Sequence, residues 1–296
     1  MFIAILLLLT PPSRSFSGPT PNESSRNGLV SRRDSWKISF TVFAGVAYAK
    51  LVSDVVSRLA RGLEYPEPHE RRIKSTLTTA LTTASAGGEK KVLRVLEAGI
   101  GSDCRLIRRG LYNNAFQHLK EQGVSKIELV GVDLKRPSDQ TIHKAKEVIA
   151  DAPLLVRFDV VEGDVSATSL PFRQGYFDAV VCCLTLCSVA DQTSALANMR
   201  DLIRPGGGVF AYVEHVAVDP DEPYRFLEFQ QTTLDPIQQL LAGNCHLHRY
   251  TDQAIASVFG LNEAQATFVA RERFLVDSMW PVSCQSAGVI QRVAAS

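Results

Sequence analysis

The chain is predicted to fold as an α/β domain built on an open, mostly parallel sheet with helices on both faces. Three observations predict it. Val92–Ala98 is a short run of valine and leucine that meets Glu97 and then the turn Gly99-Ile100-Gly101. Ile127–Val132 is a second apolar run ending in Asp133, and Leu154–Val161 is a third, followed by Glu162-Gly163-Asp164-Val165. Short apolar runs in a βαβαβ order are what strands buried on both faces of a parallel sheet require.

The other elements follow in chain order. A helix ended by Gly87-Gly88 precedes the first strand. Tyr176–Leu184 contains a fourth apolar strand, a helical stretch runs to Leu202, and Ile203-Arg204-Pro205-Gly206-Gly207-Gly208 turns the chain into a strand over Val209–Val216. Asp219-Pro220-Asp221-Glu222-Pro223 opens a helical segment through Leu241, Thr251 is placed to cap a helix over Asp252–Phe259, and Thr267–Val276 and Ala287–Val293 are β-rich.

In open α/β sheets ligands bind beyond the carboxyl ends of the strands, which is where the acids stand. Gly99 and Gly101 permit a sharp turn and a close approach to a ligand. The dinucleotide fingerprint asks for a third glycine where Cys104 stands and places a diphosphate at the helix N-terminus. Glu97 and Asp103 flank that spot and would repel a diphosphate. They suit a nucleoside with a cationic tail, and S-adenosylmethionine, with a sulfonium and an ammonium group and no phosphate, is one. Asp133 stands where an acid reaches ribose hydroxyls, and Asp164 where a carboxylate accepts from an adenine amine. Taken singly, each Asp also reads as a solvated turn residue.

Leu170-Pro171-Phe172, Tyr176–Leu184 and Ile203–Gly208 resemble the class I methyltransferases of the type 11 domain group. Val181–Val189, Tyr212-Val213-Glu214-His215-Val216 and Gln230-Gln231 through Asp235-Pro236 are similar to the membrane-associated alkyl-thiol methyltransferases among the methyltransferase-like proteins. The resemblance spans residues 70–293. It departs at Asp103, where the first motif has its third glycine, and at Asn244, inserted in the run Gly243–Leu247.

The resemblance implies a seven-stranded Rossmann-like sheet with an antiparallel edge pair, and S-adenosylmethionine as cofactor. It further implies that Glu97, Gly99, Gly101, Asp133, Leu134, Asp164, Val165, Cys183 and Leu184 hold the cofactor. Leu186, Cys187, Phe226 and Phe229 would line the pocket of a small, rather apolar acceptor, a thiol by resemblance. A quinone, phenol or lipid-like acceptor methylated at oxygen or carbon is the alternative. A non-catalytic binding protein of the same fold is another, motivated by Asp103, and the missing third glycine disfavours a nicotinamide dehydrogenase.

His215, next to Glu214, is the candidate base for a thiol, because a neutral imidazole takes a proton near pH 7; a histidine holding the substrate loop by hydrogen bonding fits the same position. His246 and His248 are weaker candidates. The segment Pro223–Arg249, with Phe226, Phe229, Leu234, Ile237, Leu240 and Leu241, is expected either to wall the pocket or to pack on the core. The six cysteines show no Cys-x-x-Cys pairing and no metal-ligand spacing, so no metal is expected. Cys182 and Cys183 read as small hydrophobes of a strand, and Cys187 falls just past its end.

Residues 1–37 read as a leader: the apolar core Phe2–Leu9, then Ser13-Arg14-Ser15 before Phe16, then a Ser-, Pro-, Asn- and Arg-rich stretch poor in acids, which resists packing. Residues 38–63 read as an amphipathic or membrane-associated helix. Its uncharged part, Ile38–Ala49, is shorter than the roughly 20 residues a span needs, while Lys50, Asp54 and Arg58 share one face. A membrane-associated or organellar location, endomembrane or plastid, is therefore expected. Residues 64–296 form the catalytic domain. With 32 Lys and Arg against 31 Asp and Glu, and net charge +1, no basic stripe marks a nucleic-acid partner; Arg105, Arg108 and Arg109 read as a solvated helix face. The sequence leaves oligomeric state open.

Overall fold

The computed structural model describes residues 50, 65–86, 91–167, 170–261 and 265–293. The chain divides into two units, Met1–Leu51 and Val52–Ser296, and the fold lies in the second. The leader and all of the amphipathic segment except Lys50 lie outside the described residues, as do Gly87 and Gly88.

The elements are α1 (Glu67–Ser85), β1 (Val92–Ala98), the short α2 (Arg105–Arg108), α3 (Asn113–Glu121), β2 (Lys126–Asp133), α4 (Asp139–Ala150), β3 (Leu155–Glu162), β4 (Ala179–Cys183), α5 (Gln192–Leu202), β5 (Val209–His215), α6 (Arg225–Leu241), α7 (Thr251–Val258), β6 (Ala266–Leu275) and β7 (Cys284–Arg292). The seven strands form one sheet in the order β3-β2-β1-β4-β5-β7-β6. The first five are parallel, and β7 runs antiparallel between β5 and β6. This is the seven-stranded, mostly parallel sheet with an antiparallel edge pair.

Alternation along the central strands divides the core into two layers. Leu93 and Val95 of β1, Val181 of β4 and Val209, Ala211 and Val213 of β5 pack with Leu77 and Leu81 of α1, Phe116 of α3 and Ile142 of α4. Their strand neighbours Leu96, Ala98, Val180, Cys182, Phe210 and Tyr212 pack on the other face with Leu196 and Met199 of α5 and Ile255 of α7. Because successive residues of a strand point to opposite faces, strands buried on both sides are mostly apolar; the exceptions here are Arg94 and Glu97 of β1 and Glu214 and His215 of β5.

The boundaries differ from expectation where tertiary pairing outweighs local character. β7 begins at Cys284 rather than Ala287, because the polar Gln285 and Ser286 pair with His215 and Glu214 of β5. Thr251 is the first residue of α7, not its cap; its Oγ1 accepts Gln192 Nε2 at 3.0 Å. Of the three arginines only Arg108 is exposed: Arg105 pairs with Asp103 at 2.8 Å and lies over the Tyr65 ring, and Arg109 pairs with Glu70 of α1 at 3.0 Å.

Candidate active site

Strand order reverses direction between β1 and β4, which is the switch point where open α/β sheets bind ligands. There the Gly99 and Ile100 N–H groups donate to Val132 O at 2.8 and 3.1 Å, and Gly101 N–H donates to Asp133 Oδ2 at 2.8 Å. Gly99 and Gly101 both have φ of +73°, a region in which a side chain is strained. A Cβ on Gly99 would strike Thr185, while one on Gly101 would meet only Asp103 Oδ1 at 3.5 Å, leaving that backbone open to a ligand. Leu134, next to Asp133, is 70% exposed at the same end of the sheet. Asp164, beyond β3, accepts Ser166 N–H at 2.8 Å and orders the turn that carries Val165. A glycine turn that admits close approach, an acid at the end of β2 and an exposed apolar side chain beside it fit a nucleoside.

The charge of this end is lower than two free carboxylates would make it. Glu97 is buried and accepts Tyr112 O–H at 2.9 Å. Burial pushes its carboxyl up to about 8, against the opposing bond from Tyr112. Asp103 is offset by Arg105. Tyr65 and His69, just before and within α1, belong to this end too: Tyr65 interacts electrostatically with Cys183, Arg105 and Asp103, and His69 with Arg105 and His215. His69 is fully buried with neither ring nitrogen hydrogen-bonded among the described residues, and burial holds it down at about 4. No sequence pattern marked either residue, since the approach of α1 to the strand ends is a tertiary fact.

The turn after β4 is fixed by β5. Leu184 has φ of +50°, an uncommon conformation for a branched residue. It is held because Leu184 N–H donates to Val213 O at 3.0 Å while Glu214 Oε1 accepts the N–H groups of Thr185 and Leu186 at 2.8 and 3.1 Å. Leu186 and Cys187 are consequently buried.

The segment after α6 closes over this turn. His246 N–H donates to Cys187 O at 2.9 Å, Asn244 Nδ2 to Ser188 O at 3.0 Å, and Arg249 to the carbonyls of Leu186 and Val189 at 2.9 and 2.8 Å. Asp235 accepts the N–H groups of Leu247 and His248 and lies 3.7 Å from the His246 ring. Gln231 bridges Val218 N–H and Val216 O at 2.9 and 3.0 Å. These inward bonds fix the rotation of α6 and turn Phe226 and Phe229 outward, 72% and 64% exposed. Asn244, with φ of +65°, takes a left-handed position that asparagine tolerates.

His215 is the last residue of β5, and it is buried. Its Nε2 lies 3.1 Å from Cys245 Sγ, which is 3.8 Å from Cys187 Sγ. The bond from Cys187, with His215 and Gln238, pulls the Cys245 thiol down to about 4 against burial. Burial lowers His215, but its pairing with Cys245 outweighs that and raises it. Three ligand-bearing residues from three separate segments thus meet, although their spacing in sequence shows no metal pattern.

Residues 110–211 match the family model of the methyltransferase domain, covering the sheet from β2 into β5. Over 81 residues the chain is 41% identical to the thiol S-methyltransferase TMT1A of Homo sapiens, covering 27% of this chain and 32% of that protein. Over 97 residues it is 33% identical to a demethylmenaquinone methyltransferase of Beutenbergia cavernae, covering 32% and 39%. The chain thus spans about a third of the length of these relatives. Its fold resembles a putative sarcosine dimethylglycine methyltransferase from Galdieria sulphuraria, with TM-score 0.51 and 13% identity over 78% of this chain and 92% of that one.

Proposed function

We propose that this chain, whose residues 110–211 match the methyltransferase domain family, is an S-adenosylmethionine-dependent methyltransferase that methylates a small apolar thiol at sulfur. The observation that carries the reading is the glycine turn tied by Gly101 N–H to Asp133 at the switch point of the sheet. Asp133 binds the ribose hydroxyls, Leu134 covers one face of the adenine, Asp164 and Val165 border its edge, and Glu97 faces the ammonium end. Bound there, the cofactor supplies an already activated methyl group. The chain therefore has mainly to position the acceptor and exclude water. Leu186 and Cys187 border the acceptor, and Glu214 holds their turn in place.

The thiol assignment is supported by the identity to TMT1A. A quinone acceptor is the second reading, favoured by the demethylmenaquinone methyltransferase match. Residues 38–63 are proposed to lie on a membrane surface, where apolar acceptors concentrate; no helix among the described residues is long and apolar enough to cross a membrane. The testing experiment is a turnover screen with methyl-labelled S-adenosylmethionine against alkyl thiols, phenols and quinones. Label in thiols alone supports the proposal, and label in quinones alone replaces it with the second reading.

A further inference from the structure

We propose that Cys187, His215 and Cys245 form a zinc site whose fourth position takes the sulfur of the acceptor thiol. This rests on the methyltransferase reading above for its use of the bound thiol, but the metal site stands on its own geometry. The two sulfurs and a ring nitrogen all lie within 4.8 Å of one another. The Sγ–Sγ separation of 3.8 Å matches the edge of a tetrahedron with Zn–S bonds of about 2.3 Å. The Nε2–Sγ separation of 3.1 Å brings the ring to the same centre. Two thiolates and one imidazole are the donor set of a catalytic zinc that keeps one position open.

The surroundings are built to hold these three side chains. His215 is fixed by the β5–β7 ladder, Cys187 by the Glu214-capped turn, by His246 N–H and by the bonds from Arg249 to the carbonyls of Leu186 and Val189, and Cys245 by its own N–H to Ala242 O and by the Leu247 and His248 N–H groups that donate to Asp235. His215 Nδ1 and Glu214 Oε2 are buried without hydrogen-bond partners among the described residues, so the site holds more polar capacity than those residues satisfy. Residues Thr185 to Cys187 link the site to the nucleoside end, since Thr185 Oγ1 lies 3.4 Å from Gly99 O.

A free thiol ionises near pH 8.5, and a thiol that coordinates a metal is deprotonated outright. On entering the fourth position the acceptor sulfur releases its proton to solvent and donates a lone pair to the ion. In the transfer its lone pair forms the new S–C bond, and the electron pair of the broken sulfonium C–S bond stays on the donor sulfur. The products are the methyl thioether and S-adenosylhomocysteine, with no change of oxidation state at zinc.

The test uses the reduced full chain. After incubation with zinc and exhaustive dialysis, metal analysis is expected to return one zinc per chain for the wild type and loss of that zinc in Cys187→Ala and Cys245→Ala. Titration of the wild type with cobalt(II) is expected to give thiolate-to-metal charge transfer and tetrahedral d–d bands, a readout that does not depend on whether a variant folds. Adding an alkyl thiol without any methyl donor should shift the d–d bands. Absence of stoichiometric zinc together with absence of the charge-transfer band overturns the proposal, and so does full zinc retention by a folded Cys245→Ala variant. A metal-loaded chain that moves no label to any acceptor would instead overturn the methyltransferase reading and leave the site standing.

Discussion

Asp133 Oδ2 accepts the backbone N–H of Gly101 at 2.8 Å, so the carboxylate proposed to bind the ribose hydroxyls also shapes the glycine turn. Asp133→Ala is expected to weaken S-adenosylmethionine binding by about 1–3 kcal/mol, the scale of lost hydrogen bonds to a charged group. Asp133→Asn keeps an acceptor for Gly101 and should lose less. Calorimetric titration of the three proteins measures this, and equal affinities would reduce Asp133 to a turn residue.

Glu97 gives the binding its pH dependence. Burial raises its carboxyl to about 8, so near neutral pH the ligand-free protein holds it protonated. A cationic ligand favours the ionised form, and binding below pH 8 should release a proton. Affinity should then rise as pH climbs through the Glu97 range. Titrations at pH 6.5 in two buffers of different ionisation enthalpy should give different heats for the wild type and a smaller difference for Glu97→Gln; equal heats in the wild type would contradict the assignment.

His69 makes stability depend on acid. Burial lowers its pKa from 6.5 to about 4, so its contribution is fully present above pH 6.5 and is lost as pH falls through that window. The loss is on the order of 3 kcal/mol. His69→Phe should flatten the decline of the thermal midpoint between pH 6.5 and 4, and an unchanged slope would assign the acid sensitivity elsewhere.

Strands β1, β4 and β5 were legible because parallel strands buried on both faces are mostly apolar, as Val92–Ala98, Ala179–Cys183 and Val209–His215 are apart from Arg94, Glu97, Glu214 and His215. The start of β7 was not, since Gln285 and Ser286 carry no strand character and are held by pairing with β5. The glycine turn after β1 and the acid at the end of β2 were legible through Gly99, Gly101 and Asp133, whose types carry a backbone or charge requirement. The exposure of Phe226 and Phe229 was not legible, because the helix face that turns inward is chosen by Gln231 and Asp235, which bond backbone groups more than ten residues away in the chain. The meeting of Cys187, His215 and Cys245 depends on three separate segments, and no local spacing encodes it.

Residues 38–63 are proposed to set location rather than chemistry. Deleting Met1 to Gly62 should move the protein into the soluble fraction while leaving turnover of a soluble acceptor largely intact. Sedimentation of the truncated chain with membranes would contradict the proposed role of residues 38–63.

The most direct test of S-methylation is to incubate the full chain with methyl-labelled S-adenosylmethionine and one alkyl thiol, then quantify labelled thioether against S-adenosylhomocysteine. The account predicts one labelled thioether for each S-adenosylhomocysteine formed, at a rate lowered by Asp133→Ala when cofactor is subsaturating. A chain that binds S-adenosylmethionine and leaves every thiol unlabelled would contradict it.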